Sequence, residues 1–376
     1  MKDIAVIGAG HIGGTVAALL ADTADYRVTV IDRAAEHLAE LPADARVEHL
    51  VLDVTDLKGL TAALKGKFAV LSAAPYHLTF YVAQAAKAAG CHYLDLTEDV
   101  ASTRKVKALA HGAQTAFIPQ CGLAPGFISI AAADLIRGFD TLHDVRLRVG
   151  ALPKYPSNAL NYNLTWSTDG VINEYCEPCE AIVDGLPRQT RALEECEAFA
   201  LDGVTYEAFN TSGGLGTLCE TLAGKVRSLN YRTIRYPGHA AIMKALLNDL
   251  RLRDRRDLLK DILENAVPAT MQDVVIVFVT VSGLKGGHLV QETYAHKIYA
   301  QNFGGRMLSA IQITTAGSLC AVLDLLAAGA LPTQGFVRQE EIGLADFLGN
   351  RFGRVYAASD AEPRPSARPQ LVESAA

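Results

Sequence analysis

Positive charge is the first thing this sequence is short of. Its 35 Lys and Arg stand against 41 Asp and Glu, a net charge of -6 at pH 7. That balance forms no basic stripe, so nucleic acid is not an expected partner. Long apolar runs are missing too: none approaches the roughly 20 residues that cross a bilayer. The richest stretch, Ala316 to Leu331, carries Asp324 and reads as a buried helix, so no membrane association is expected. Met1-Lys2-Asp3 enters a strand pattern without the regions of a secretion signal, and the expectation is a chain that is not secreted. No internal repeat is visible.

Cysteine is present but poorly arranged for metal or disulfides. The seven residues Cys91, Cys121, Cys176, Cys179, Cys196, Cys219 and Cys320 are odd in number and scattered. Cys176-Glu177-Pro178-Cys179, with Cys196 as a third candidate ligand, lacks the second pair that a structural zinc site uses. It also follows a polar, loop-like stretch, whereas a redox pair sits at a helix start. Reduced thiols, no metal and a cytoplasmic location are expected.

What remains is an ordinary globular composition, with half of the 376 residues apolar and 20% charged. That length calls for two domains. Through the first third, short apolar runs alternate with helical patterns. Strands are expected at Ile4 to Ile7, Arg27 to Ile31, Val47 to Leu52, Phe68 to Ser72, His92 to Leu96 and Ala116 to Pro119. Continuous apolar runs suit strands buried on both faces. Strand–helix alternation predicts an α/β, Rossmann-type doubly wound parallel sheet over residues 1–126.

After residue 126 the pattern changes. A helix over Phe127 to Gly138 leads into extended segments at Asp144 to Gly150, Ala198 to Ala208, Arg232 to Tyr236, Asp273 to Ser282 and Leu289 to Tyr299. Gly283 to Gly287 reads as a hairpin loop. A second α+β domain on a mainly antiparallel sheet is expected over 127–305. A long helix from Met307 to Ala328 should lead residues 306–350 back onto the first domain. The tail, 357–376, lacks periodicity and is expected to be disordered.

One motif stands out. Gly8-Ala9-Gly10-His11-Ile12-Gly13 follows the first strand and opens a helix, and Asp32 ends the next strand 19 positions after Gly13. Gly8 permits the tight turn, Gly10 lets backbone approach a pyrophosphate, and Gly13 lets helix pack on strand. The pyrophosphate would meet free N–H groups at the helix start. Asp32 would accept from ribose hydroxyls and repel a 2′-phosphate, favouring NAD, although Arg33 next to it could accommodate that phosphate, so NADP is not excluded. Asp53 and Val54, ending the third strand, join this cofactor set.

Several later segments resemble the saccharopine dehydrogenase-like family. Ala73-Ala74-Pro75-Tyr76, Tyr93-Leu94-Asp95 and Gly122-Leu123-Ala124-Pro125-Gly126 are similar to its strand-end motifs. Leu160-Asn161-Tyr162-Asn163, Thr211-Ser212-Gly213-Gly214 and Thr233-Ile234-Arg235-Tyr236-Pro237-Gly238-His239 are similar to the lysine 6-dehydrogenase branch. The likeness covers roughly residues 3–345. It implies an NAD(P)-linked oxidoreductase acting on a carbon–nitrogen bond of a small amino acid or amine, and a homodimer formed through the second domain. Two other functions stay open: a saccharopine- or opine-type enzyme that forms or cleaves a secondary amine, and a dinucleotide-sensing binding protein without turnover.

Within that resemblance the residues divide by chemistry. Arg235 is the candidate for a substrate carboxylate, with its bidentate fork. Asp95 and His239 are candidate bases, and each could equally organise a loop. Tyr162, the third catalytic candidate, and Asn163 could donate and accept hydrogen bonds at the substrate, and Thr211, Ser212 and Gly213 could present backbone N–H groups. Tyr76, His77 and Glu98 are further polar candidates. Ala73, Ala74, Pro75, Gly122, Pro125 and Gly126 would line the nicotinamide side, and Cys121 could touch the ring or simply be buried.

Overall fold

The structure, a computed structural model, describes residues 1–357 except 43 and 304. The first domain alternates β1 (Lys2–Ile7), α1 (His11–Ala21), β2 (Tyr26–Asp32), α2 (Ala35–Ala39), β3 (Val47–Val51), α3 (Leu57–Leu64), β4 (Ala69–Ser72), α4 (Thr79–Ala89), β5 (His92–Asp95), α5 (Val100–Ala110) and β6 (Ala116–Ile118). Caps begin these helices where the sequence supplies them: Asp56 accepts from the Gly59 N–H and Asp99 from the Ser102 N–H.

The chain continues through α6 (Phe127–Ile136), β7 (Thr141–Pro153), α7 (Thr168–Cys176), β8 (Cys179–Val183), β9 (Leu186–Thr190), β10 (Glu197–Leu201), β11 (Val204–Asn210), α8 (Leu218–Leu222), β12 (Val226–Arg235), α9 (His239–Lys244) and α10 (Arg256–Ala266). It ends with β13 (Asp273–Lys285), β14 (His288–Tyr299), β15 (Gln301–Phe303), β16 (Arg306–Leu308), α11 (Ala310–Ala327), β17 (Gly335–Phe336) and α12 (Leu344–Gly349).

Seven parallel strands form the first sheet, in the order β17-β6-β5-β4-β1-β2-β3. The strand order reverses between β4 and β1, where open α/β sheets bind ligands. The second sheet runs β10-β11-β12-β7-β13-β14, with β8 and β9 attached to β12. Its pairings are antiparallel except that β7 and β12 run parallel, so the sheet is mixed. One apolar core joins α1, α6, α11 and the inner face of β7 and β13.

Several local expectations change. The polar stretch before Cys179 is the helix α7, not a loop. Ser167 caps it by accepting from the Gly170 N–H, and Val171, Ile172, Tyr175 and Cys176 form its buried face. Cys176 therefore sits at a helix C-terminus, the wrong end for an activated thiol. Among the described residues no group of His, Cys, Asp or Glu is placed to hold a metal ion. The hairpin β8–β9, unforeseen, follows directly. Strands β13 and β14 extend to Lys285 and His288, leaving only Gly286-Gly287 as the turn.

The helix α11 starts at Ala310, because Met307 and Leu308 belong to β16. It is shorter than the expected Met307 to Ala328, but at 18 residues and mean hydropathy 1.6 it is long and apolar enough to cross a membrane, and 83% of it is buried. Asp324 within it accepts from the Tyr26 hydroxyl at 2.6 Å. The Asp273 carboxylate accepts the Ala310 and Ile311 N–H groups at its start. Beyond Ala357, the expected disordered tail lies outside the described residues.

Candidate active site

The glycine loop has the geometry that the motif requires. Gly8 has φ +97°, and a Cβ added to Gly13 would stand 1.8 Å from the Gly8 carbonyl oxygen. Gly10 caps α1 without any side-chain hydrogen bond, and a Cβ there would meet open space. The first-turn N–H groups thus face a hollow lined by Gly10, His11, Ile12 and Gly13 on one side and by Trp166, Thr270 and Gln312 on the other. These residues fit a dinucleotide pyrophosphate.

Asp32 does a second job that the sequence did not reveal. Its carboxylate accepts from the Ala9 N–H at 2.8 Å and from the Ala34 N–H at 2.9 Å, bracing the glycine loop. Remaining lone pairs stay open to a ribose. Arg33 is exposed beside it. Asp53 is exposed and accepts from the Thr55 N–H and hydroxyl, while the Val54 side chain is buried in the core.

A cleft of about 250 Å³ opens next to this hollow, at the C-terminal ends of β4, β5 and β6. Ile12, Ala73, Ala74, Pro75, Gly122, Leu123 and Ala124 form its small, apolar side against the first domain. Tyr76, Thr97 and Glu98 extend that wall. The second domain contributes Trp166, Asp169 and Glu174 from the α7 region, and Tyr231, Thr233 and Arg235 from β12.

Arg235 is only 2% exposed. Its Nε donates to the Tyr175 hydroxyl at 3.0 Å and its Nη1 to the Ile234 carbonyl at 2.9 Å. Nη2 makes no hydrogen bond among the described residues. His239 lies behind this pair, 1% exposed, with Nδ1 2.8 Å from the Leu160 carbonyl and Nε2 3.1 Å from the Tyr175 hydroxyl. A carbonyl only accepts, so Nδ1 carries the hydrogen and Nε2 accepts from Tyr175. Burial and the Arg235 charge push the imidazole down to about 3, so it is neutral. His239 is absent from the cleft wall: it orients Tyr175 and is not placed to take a proton from a ligand.

Asp95 is likewise inside the protein. Its carboxylate accepts from the Tyr93 hydroxyl, the Thr97 N–H and the Gln120 N–H, at 2.6, 3.0 and 2.8 Å. Three donors and 1% exposure make it the organiser of the loops after β5 and β6. Burial raises it to about 6.

Other predicted residues form a second layer. Tyr162 is buried with the Arg235 guanidinium 5.0 Å from its ring centroid, and Asn163 is 5% exposed. Thr211 pairs with Thr233 at 2.8 Å, and the Ser212 hydroxyl donates to the Pro178 carbonyl. Gly213 (φ +86°) lies so close to Glu98 that a Cβ would stand 2.3 Å from the Glu98 carbonyl oxygen. Gly126 (φ +134°) and Pro125 are buried beneath the Gly122 to Ala124 wall rather than on it. Cys121 is wholly buried, with its Sγ 3.2 Å from Gln339 Nε2. His77 is exposed outside the cleft.

Glu174 escaped the sequence reading. It is 5% exposed, lines the cleft, and its carboxylate has no hydrogen bond or ion pair among the described residues. Burial and the nearby Glu98 hold it well above the usual carboxylate range, against the pull of Arg235. The signal for it was the helical spacing of apolar residues in α7, masked there by polar neighbours. Glu98 also lacks a side-chain partner, and burial pushes it up to about 7. Asp169, by contrast, is paired with Lys260 at 2.6 Å.

Comparison with known proteins agrees with this architecture. Residues 4–117 match the saccharopine dehydrogenase NADP-binding domain, and residues 122–351 match the saccharopine dehydrogenase C-terminal domain. Among solved structures, the apo saccharopine dehydrogenase (L-Glu forming) of Saccharomyces cerevisiae aligns at TM-score 0.75 and 17% identity, over 90% of this chain and 94% of that one. An engineered D-amino acid dehydrogenase bound to NADP+ aligns at TM-score 0.48 and 13% identity, over 95% and 98% of the two chains. A dihydrodipicolinate reductase of Paenisporosarcina sp. aligns at TM-score 0.42 and 12% identity, over 91% and 99%. The first of these shares the fold. With both domains matched over most of its length, the chain belongs to the saccharopine dehydrogenase family, whose first domain binds a nicotinamide dinucleotide.

Proposed function

We propose that this protein is an NAD-dependent dehydrogenase that oxidatively deaminates an amino acid carrying a second, distal amine, a reaction of the lysine 6-dehydrogenase type. One observation carries the reading: among the described residues the cleft presents a single cation, Arg235, and two carboxyl groups without a side-chain partner, Glu98 and Glu174. One carboxylate and two amines on the substrate complement that set. When bound, the oxidised nicotinamide supplies the hydride acceptor.

An enzyme of the saccharopine or opine type handles a secondary amine flanked by several carboxylates. That chemistry calls for several cations in the cleft. Arg227 and Arg232 do not serve, since Arg227 pairs with Asp144 and Arg232 with Glu195 and Glu197, outside the cleft. The charge of the wall therefore favours the deaminating reading. A carboxylate at the end of β2 supports NAD over NADP, because a 2′-phosphate would face Asp32.

The test is turnover. Purified protein with NAD and a panel of lysine, other diamino acids and ω-amines should produce reduced nicotinamide, read by its absorbance. Absence of any oxidation, combined with reductive coupling of an amino acid to a keto acid, would replace this reading with the opine-type one.

A further inference from the structure

The removal of hydride from a carbon bearing an ammonium first needs a proton taken from nitrogen. The residues expected to take it, Asp95 and His239, are not on the cleft wall. Asp169 is neutralised by Lys260. Two carboxyl groups remain, and they stand in different places. Glu98 follows the C-terminal end of β5 by three residues, on the same wall as Ala73 to Pro75 and Gly122 to Ala124, where a nicotinamide ring would lie. Glu174 belongs to α7 in the second domain, beside Arg235.

Both are held by one loop. Gly213 packs against the Glu98 carbonyl, and the Ser212 N–H donates to the Glu174 carbonyl at 3.0 Å. The Thr211-Ser212-Gly213 segment thus serves the site by fixing two glutamates, not by offering its own N–H groups to a ligand.

We propose that Glu98 is the catalytic base, accepting the proton of the reacting amine, while Glu174 binds the substrate as a hydrogen-bonding group beside Arg235. This rests on the deaminating reading above. In the step, the ammonium N–H bond breaks and its proton moves to a Glu98 carboxylate oxygen. The carbon–hydrogen bond of the same CH–N unit then breaks, its electron pair leaving as hydride to the oxidised nicotinamide, and a carbon–nitrogen double bond forms.

The charged and titratable neighbours agree with that division. Glu98 has Asp95 and Asp99 on its own segment, Tyr76 after β4 and Glu174 from α7; Arg235 acts on Glu174, and Arg256 and Asp169 act on Tyr76. Burial lifts Glu98 to about 7, so much of it is ionised at neutral pH, and burial together with Glu98 holds Glu174 well above the usual carboxylate range.

The test compares E98Q with E174Q. Glu98→Gln should lower kcat by about 100-fold or more and leave reduced-dinucleotide affinity unchanged, read by quenching of the single tryptophan, Trp166. Glu174→Gln alters a group that meets the substrate, so it should raise KM for the amine while leaving the acid limb of kcat/KM where it stands in the wild type, because Glu98 is intact. The reverse pattern would transfer the base to Glu174, and full activity in both variants would overturn the proposal.

A second measurement needs no turnover. Infrared titration of the carboxyl band should show a group protonating near neutral pH that E98Q removes, over the background of Asp95 and Asp273, which burial also raises to about 6. Its absence would overturn the proposal even if amine oxidation were confirmed. Its presence in a protein that oxidises no amine would instead sink the deaminating reading.

Discussion

The Nε of Arg235 lies 3.0 Å from the Tyr175 hydroxyl, and that contact sets the direction of the one cation that lines the cleft among the described residues. A hydrogen bond to a buried charge contributes about 1.5–3 kcal/mol. Tyr175→Phe should therefore raise KM for the amino-acid substrate by about 10-fold or more with less effect on kcat. Arg235→Ala should weaken substrate binding by about 2–5 kcal/mol, and Arg235→Lys should not restore it, since an ammonium lacks the fork. Steady-state KM values that do not change would remove Arg235 from substrate binding.

His239 gives a prediction in pH. Its folded value of about 3 lies below the ordinary 6.5, so the folded protein binds fewer protons than the unfolded chain between these values. Stability from this group is present above about pH 6.5 and is lost as pH falls toward 3. Asp95 and Asp273 act in the opposite sense, since raised carboxyls favour the folded state at lower pH, but they are common to wild type and variant. The stability advantage of wild type over His239→Asn should shrink between pH 7 and pH 5, measured by urea unfolding at both. A constant difference would mean that the imidazole titrates normally.

Two glycines of one loop should behave differently. Gly13→Ala places a Cβ 1.8 Å from the Gly8 carbonyl, so the free protein should lose stability by about 1–3 kcal/mol or more. Gly10→Ala meets nothing in the protein and should leave Tm unchanged while weakening dinucleotide binding. Thermal unfolding alongside a binding titration separates the two effects.

Asp32 both braces the loop and faces the ribose, so Asp32→Ser should raise KM for NAD on either account. The informative quantity is the ratio of kcat/KM for NAD to that for NADP, which should fall by about 10-fold or more as one charge repulsion is removed. An unchanged ratio would assign Asp32 to the loop alone.

These residues also show what the sequence made legible. The unit β1–α1–β2 could be read because tight turn, close approach and acidic strand end are local requirements met within a few residues. Arg235 could be placed because its motif ends a strand that borders the cleft. Asp95 and His239 could not be assigned correctly, because a strand end or a Pro-Gly turn says nothing about which way a side chain faces. Asp95 turns inward to three donors and His239 inward to Tyr175. Glu174 was hidden for another reason: α7 is short, and its buried face shares the segment with Asp169, Asn173 and Glu174. Only the tertiary fold reveals that a polar residue of such a helix lines a cleft.

The central claim concerns charge: one cation for one carboxylate, and carboxyl groups for amines. It is tested most directly by kcat/KM with NAD for lysine, for cadaverine, which lacks the carboxylate, and for saccharopine, which has three. Lysine should exceed cadaverine by about 30-fold or more, the equivalent of about 2 kcal/mol from the Arg235 contact, and saccharopine should be the poorest of the three. Preferred oxidation of saccharopine, or equal rates for lysine and cadaverine, would contradict the account.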